Sequence, residues 1–228
     1  MITIACVLRS GGDFSPVWVW ALRRGLDACL PAGTFRFRCL TDVPLQEFVW
    51  RGRAGSRWHM ALKHNWPGWW SKMELLRGGI FPTGELVMAL DLDTLPWDRL
   101  DDMARYPGQF AMLSSFYTPT QLQSGVLLFR PGPHTAALYD EFRTHLPPLG
   151  RRIGHGDGEW LSARVPEDTD RIQDLYPGQV VSFKREAKHG PPAGARLVCG
   201  HGRPRFNDPA SGWAYRHWRL LVSGSERV

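Results

Sequence analysis

The sequence predicts an α/β fold, a single domain with a mixed, mostly parallel central sheet flanked by helices. Three observations predict it. Strand, helix and strand follow one another at the N-terminus, the βαβ signature of a parallel sheet. Residues 86–90, Leu-Val-Met-Ala-Leu, are continuously apolar, as a strand buried on both faces must be. Further short apolar runs alternate with amphipathic stretches along the rest of the chain. At 228 residues the chain suits one large domain or two small ones, on a prior of about 150 residues each. No linker or repeat divides it, so residues 1–222 are expected to form one domain and 223–228 a frayed tail.

The elements follow in order. Residues 2–8 are apolar and read as the first strand. They lack the basic lead-in of a signal peptide. Ser15-Pro16 looks like an N-cap followed by proline at the first helical position, opening a helix over 17–30 that Pro31 and Gly33 stop. Phe35-Arg36-Phe37-Arg38-Cys39-Leu40 alternates at period two, a second strand. Residues 69–77 form a short helix ended by Gly78-Gly79, and the apolar run 86–90 leads into Asp91-Leu92-Asp93. Residues 110–114 and 126–129 are further strands and 135–145 a helix. Residues 146–158 are a long loop, 159–164 a helical turn or two, and 180–183 and 196–199 late strands.

Composition narrows the function classes. Hydrophobic residues are 43% and charged residues 22% of the chain, which excludes a disordered protein. No apolar run approaches the ~18 residues of a membrane span, and a cytoplasmic location is expected. The four cysteines, Cys6, Cys29, Cys39 and Cys199, form no C-x-x-C and are expected to be reduced thiols packed as small apolar groups. The formal net charge is +6 and the sequence pI about 9.5, which suits an anionic partner: nucleic acid, an anionic membrane or a phosphorylated small molecule. The segment 213–222 is basic and aromatic, so it is expected either to pack as a final helix or to rest on an anionic membrane surface.

The chemistry concentrates at Asp91-Leu92-Asp93. A parallel strand delivers its C-terminal end to the crevice where α/β folds bind ligands, and side chains at i and i+2 of a strand point the same way. Two carboxylates aimed at one site repel unless a cation lies between them. A divalent metal with oxygen ligands, its other positions filled by a diphosphate, satisfies both. His201, in Gly200-His201-Gly202-Arg203-Pro204-Arg205, is a candidate third ligand. Its nitrogen tilts the choice of ion toward manganese. Arg203 and Arg205 are candidates to neutralise phosphate oxygens.

Lys72 is placed to reach a phosphate or a sugar hydroxyl. Asp157 is a glycine-flanked acid opening a helix, a candidate base or a simple N-cap. Gln123, before a strand, offers hydrogen bonds to a sugar. Among eleven tryptophans, Trp69, Trp70, Trp97 and Trp160 fall near the site, and one or two at most are expected to touch a ligand. The basic loop 51–57 is a candidate flap over a diphosphate. No P-loop, nucleophile elbow, H-E-x-x-H or dinucleotide G-x-G-x-x-G is present.

In this order the motifs resemble those of nucleotide-sugar glycosyltransferases of the GT-A fold, in particular the glycogenin-like group (family 8-like) that includes bacterial lipopolysaccharide galactosyl- and glucosyltransferases. The likeness runs from about Ile2 to Asn207. Strand one and the loop after it, Leu8, Arg9 and Ser10, look like the family's nucleotide-binding start, and Trp70-Ser71-Lys72-Met73-Glu74-Leu75 like its lysine-bearing helix. Asp91-Leu92-Asp93 is similar to its metal-binding D-x-D. Gln123-Ser124-Gly125 stands where Asn-Ser-Gly is usual, Gly156-Asp157-Gly158 where Gly-Asp-Gln is, and His201 looks like its late metal histidine. The late basic motif is shortened, and Arg203 or Arg205 takes the place of the family's lysine.

The resemblance implies a metal-dependent hexosyltransferase, using Mn²⁺ in preference to Mg²⁺. It would move a sugar from a nucleoside diphosphate sugar, expected to be UDP-linked, to an acceptor with retention of configuration. Metal would be held by Asp91, Asp93 and His201. The donor would be bound by Leu8, Arg9, Ser10, Lys72, Leu92, Arg203 and Arg205. Asp157, Lys72 and Gln123 would serve the reaction. Two other readings stand beside it: a nucleotidyltransferase, which releases pyrophosphate, and a basic nucleic-acid-binding module, for which no binding motif is found.

Overall fold

The strand β1 (Ile2–Leu8) sets the plan by its alternation. Ile2, Ile4, Cys6 and Leu8 face one core layer, and Ala5 and Val7 face the other. The structure, a computed structural model, describes residues 1–50, 53–55, 57–144 and 156–224. From β1 the chain passes into α1 (Pro16–Cys29). Ser15 is its N-cap but makes no side-chain capping bond; Pro16 takes the first helical position, where its missing N–H has no helical partner to lose. β2 (Phe35–Thr41) then pairs parallel with β1, Ile2 opposite Phe35. A small hairpin, β3 (Val49–Trp50) with β4 (Arg53–Ala54), precedes the edge strand β5 (His59–Ala61), which pairs parallel with β2.

The segment expected as a helix over 69–77 is a 3₁₀ helix, Gly68–Leu76. It is anchored by Glu74, fully buried, whose carboxylate accepts the backbone N–H groups of Lys63 and His64 at 2.7 Å each. After it come β6 (Val87–Leu90), β7 (Thr94–Pro96), a 3₁₀ turn at Met103–Arg105, β8 (Phe110–Ser114), β9 (Leu122–Phe129) and α2 (Pro133–Thr144). Most of the loop expected at 146–158, and residue 145 of the expected helix, lie outside the described residues. α3 (Asp157–Ser162) starts at Asp157, earlier than expected. The chain closes with β10 (Asp170–Arg171), α4 (Ile172–Leu175), β11 (Val180–Ser182), β12 (Leu197–Cys199), a 3₁₀ turn at Pro209–Ser211 and α5 (Trp213–Ser223).

The seven-stranded central sheet runs β10-β8-β9-β6-β1-β2-β5. Only β9 is antiparallel to its neighbours, as a mixed, mostly parallel sheet requires. One face is covered by α1, α5 and a second sheet, β11-β12-β7. The other is covered by the 3₁₀ helix 68–76, α2 and α3. β6 serves both cores: Met88 and Leu90 join the first, Val87 and Ala89 the second. Each fully buried large apolar side chain contributes about 1.5–3 kcal/mol. All four cysteines are buried and none is in a disulfide.

α5 packs its inner side, Ala214, Trp218 and Leu221, into the core, with Trp218 5.2 Å from Trp18 of α1. Its apolar side is therefore covered by protein, and Arg216 and Arg219 face outward. Among the described residues no helix is long and apolar enough to cross a membrane.

Candidate active site

β1 and β6 are parallel neighbours, so both release the chain at the same edge of the sheet, and β9, running the other way, begins there. Asp91 and Asp93 do not continue β6 as the sequence reading expected. The strand ends at Leu90, and Asp91 to Thr94 is a turn closed by the Thr94 N–H on the Asp91 carbonyl at 3.1 Å. The turn, not strand alternation, presents both acids to a cleft of 860 Å³. It also redirects the chain into β7, which pairs antiparallel with β12, Thr94 opposite Cys199. That pairing carries the C-terminal loop to the acids: the Gly200 N–H donates to the Asp93 carbonyl at 2.6 Å. A Cβ on Gly200 would lie 2.8 Å from that oxygen, so glycine permits the close approach.

In the cleft four carboxylates, Asp13, Asp91, Asp93 and Asp157, are in contact with two cations, Lys72 and Arg205. The Lys72 ammonium lies 2.7 Å from Asp91 Oδ1 and 3.1 Å from Asp157 Oδ2. It also donates to Ser124 Oγ at 3.0 Å and the Ser124 carbonyl at 3.2 Å. Burial alone would lower its pKa; Asp157 and Asp91 more than reverse this and hold it above the ordinary lysine value. Asp157, buried, accepts from Ser124 Oγ at 2.6 Å as well. A lysine has three N–H groups, and here all have protein acceptors. Lys72 therefore gathers the site's carboxylates.

Arg205 pairs with Asp93 Oδ2 through Nη1, reaches Asp13 Oδ2 at 3.4 Å through Nη2, and covers the Phe14 ring. Arg203 is largely exposed and donates to Asp13 Oδ1 at 3.1 Å. Asp13, a lone acid in a polar loop, carried no sequence signal.

The remaining predicted residues divide. Arg9, Leu92 and Gln123 line the cleft. Ser10 is turned to Asp42, which accepts from its N–H at 2.8 Å and its Oγ at 2.6 Å. Leu8 is buried in the core. His201 lines the cleft, but its Nε2 is 2.7 Å from Ser182 Oγ, and its ring lies against Phe116 and Tyr117. Burial, then Lys184, keeps its pKa low.

Of the four tryptophans, Trp70 stacks on Phe142, Trp160 packs against Phe142, and Trp97 packs against Trp213. Trp69 alone of the four lines the cleft. Gly158, where the family resemblance leads one to expect glutamine, sits close to β9: a Cβ there would meet the Ser124 nitrogen at 3.1 Å and Gln123 Cα at 3.2 Å. Of the expected flap, Arg51, Gly52 and Ser56 lie outside the described residues, and Arg57 is not in the cleft wall.

The donor set can be tested against a divalent ion. Burial and then the Asp91 charge push the Asp93 carboxyl up to about 7, despite Arg205. Burial also raises Asp91, against Lys72. Burial is the first cause for both, so each negative charge is costly in the cleft, and a hard cation bound by oxygen would favour the ionised pair. The two carboxylates fit such an ion. Among the described residues no third His, Cys, Asp or Glu joins them as a ligand cluster, so His201 is not brought into the set.

The raised Asp93 has a consequence for stability. Its folded-state pKa exceeds its unfolded value, so the fold is favoured at low pH and loses that advantage as the carboxyl ionises. Without added metal, Asp93→Asn is expected to gain stability over the wild type as pH rises from about 4 to about 7, then to level off. Urea unfolding across that window checks it. A difference that does not change with pH would show that burial does not raise Asp93.

No family model matches the chain, and no curated protein matches it in sequence. Solved structures do. The galactosyltransferase LgtC, in complex with donor and acceptor sugar analogs, aligns over 100% of this chain and 97% of its own, with TM-score 0.70 and 12% identity. The chain has the GT-A fold. The glycosyltransferase GlyE of Streptococcus pneumoniae TIGR4 aligns over 98% of this chain with TM-score 0.65 and 12% identity. The bifunctional glycosyltransferase WbbM aligns over 97% with TM-score 0.67 and 8% identity. The chain spans 62% of the GlyE chain and 49% of the WbbM chain. In this GT-A fold the carboxylate turn and its cleft lie at the C-terminal edge of the parallel strands, the edge where open α/β sheets bind ligands.

Proposed function

We propose that this protein is a metal-dependent glycosyltransferase that moves a hexose from a nucleoside diphosphate sugar, UDP-linked, to an acceptor hydroxyl with retention of configuration. The observation that carries the reading is the turn Asp91-Leu92-Asp93, which sets two carboxylates and Arg205 in one cleft of a GT-A fold. Asp91 and Asp93 are the residues that would hold the divalent ion, manganese in preference to magnesium. When bound, the ion supplies positive charge to the diphosphate as the glycosidic bond breaks.

The chain's own residues do the rest. Arg205 faces the same oxygens and shares the developing charge once Asp93 and Asp13 release its N–H groups. Arg9 and Gln123, on the cleft wall, bind and orient the donor. Asp157 positions a sugar hydroxyl. Its Oδ2 is already engaged by Ser124 and Lys72, an arrangement suited to holding a hydroxyl rather than to taking a proton, which supports retention over inversion. The two carboxylates on one turn also serve a nucleotidyltransferase. Released UDP, and not pyrophosphate, is the product expected here.

The test is a thermal-shift panel of nucleoside diphosphates with and without Mn²⁺. At about a hundredfold excess over Kd, UDP with Mn²⁺ is expected to raise the midpoint by about 5 °C or more. Asp93→Asn should abolish the shift. A flat response to every nucleotide, with metal present, would overturn the reading.

A further inference from the structure

We propose that Trp69 is a carbohydrate platform: a pyranose ring of the acceptor stacks on its indole at the mouth of the cleft, with a hydroxyl directed to Asp157. The proposal rests on the glycosyl-transfer reading above for the identity of the acceptor, but its geometry is independent of the metal.

Trp69 is 61% exposed, while its neighbour Trp70 stacks on Phe142 at 5.5 Å. A single exposed aromatic is ordinary on a protein surface; three features set this one apart. First, it lies on a 3₁₀ helix, in which side chains at i and i+3 eclipse. Trp69 therefore stands on the same side as Lys72, which grips Asp91 and Asp157. Second, its edge is seated on backbone. Gly156 has φ of 102°, and a Cβ there would lie 2.9 Å from Trp69 Nε1 and 3.1 Å from Cδ1. The residue immediately before Asp157 is thus bare where the indole rests on it. Third, the supporting helix is fixed. Ser71 Oγ donates to the Trp66 carbonyl at 2.6 Å, and Glu74 holds the N–H groups of Lys63 and His64.

The result is a flat π surface on an anchored helix, lining the cleft beside the residue that precedes Asp157. A pyranose offers a face of C–H groups, slightly positive, to a π face that is slightly negative. Its hydroxyls project from the rim, where carboxylate oxygens accept them. That combination selects a neutral sugar ring. A nucleobase also stacks on an indole, so the experiment separates the two.

Wild type, Trp69→Phe and Trp69→Ala are compared with saturation-transfer NMR on a mixture of methyl glucopyranosides and methyl galactopyranosides, with UDP and Mn²⁺ present. UDP affinity is measured in parallel by calorimetry. The expected result is a loss of glycoside binding of about tenfold in Trp69→Ala, with most of it retained in Trp69→Phe and UDP affinity unchanged in both. Glycoside binding that survives in Trp69→Ala overturns the platform, as does its absence from the wild type. A fall in UDP affinity with glycoside binding intact also overturns it, since the stacked ring is then a base. A wild type that binds glycoside through Trp69 but no nucleotide leaves the platform standing and removes the transferase reading.

Discussion

A Lys72→Met variant is expected to lose about 3–5 kcal/mol of folding stability together with all measurable sugar transfer. The ammonium is almost fully enclosed and touches Asp91 at 2.7 Å, Asp157 at 3.1 Å and Ser124 Oγ at 3.0 Å. Methionine fills the same space but leaves two carboxylates facing each other without a counter-charge. They must then take up protons or push apart, and either disturbs Asp91 and Asp157. A double variant, Lys72→Met with Asp157→Asn, removes one of the stranded charges and is expected to recover part of the stability but none of the activity. Urea denaturation of the single and double variants, with an unchanged m-value, measures both. A single variant as stable as the wild type would show that Lys72 is not what holds the carboxylates together.

That role was only partly legible in the sequence. Apolar runs and period-two alternation mark β1, β2, β6, β8 and β9, and the Ser15-Pro16 start with the Pro31 and Gly33 stop marks α1. β5, β7 and β10 are two or three residues long and leave no such pattern. Missing β7 meant missing why the C-terminal loop meets the acids, since Thr94 opposite Cys199 is a contact between distant parts of the chain.

Strand alternation points to the two acids, whereas a turn presents them. Lys72 was visible through its resemblance to a family motif, but its acceptors on β9 and α3 are set by tertiary packing. Trp69 and Trp70 are equivalent as sequence. Which one turns outward depends on the 3₁₀ period and on Gly156. His201 was expected to join Asp91 and Asp93; the parallel pairing of β11 with β12, Ser182 opposite Cys199, instead sets Ser182 beside it.

Asp91→Asn and Asp157→Asn are expected to separate binding from turnover. Asparagine keeps the shape of Asp91 but removes half of the charge that Asp91 and Asp93 offer a cation. Turnover should fall about a thousandfold, and Mn²⁺-dependent UDP binding with it. The Lys72 ammonium retains Asp157 and Ser124 in this variant, so the fold should hold, and a thermal midpoint near the wild-type value is part of the prediction. Asp157 is bound to Lys72 and to Ser124. It is assigned to the sugar, not to the diphosphate. Asp157→Asn should therefore keep UDP and Mn²⁺ binding close to wild type while turnover falls by a similar factor. Calorimetry with UDP and Mn²⁺, set beside release of UDP from the sugar donor, distinguishes the two. If Asp157→Asn loses nucleotide binding as fully as Asp91→Asn, the three carboxylates act as a single charged unit centred on Lys72. The division of the cleft into a diphosphate side and a sugar side then fails.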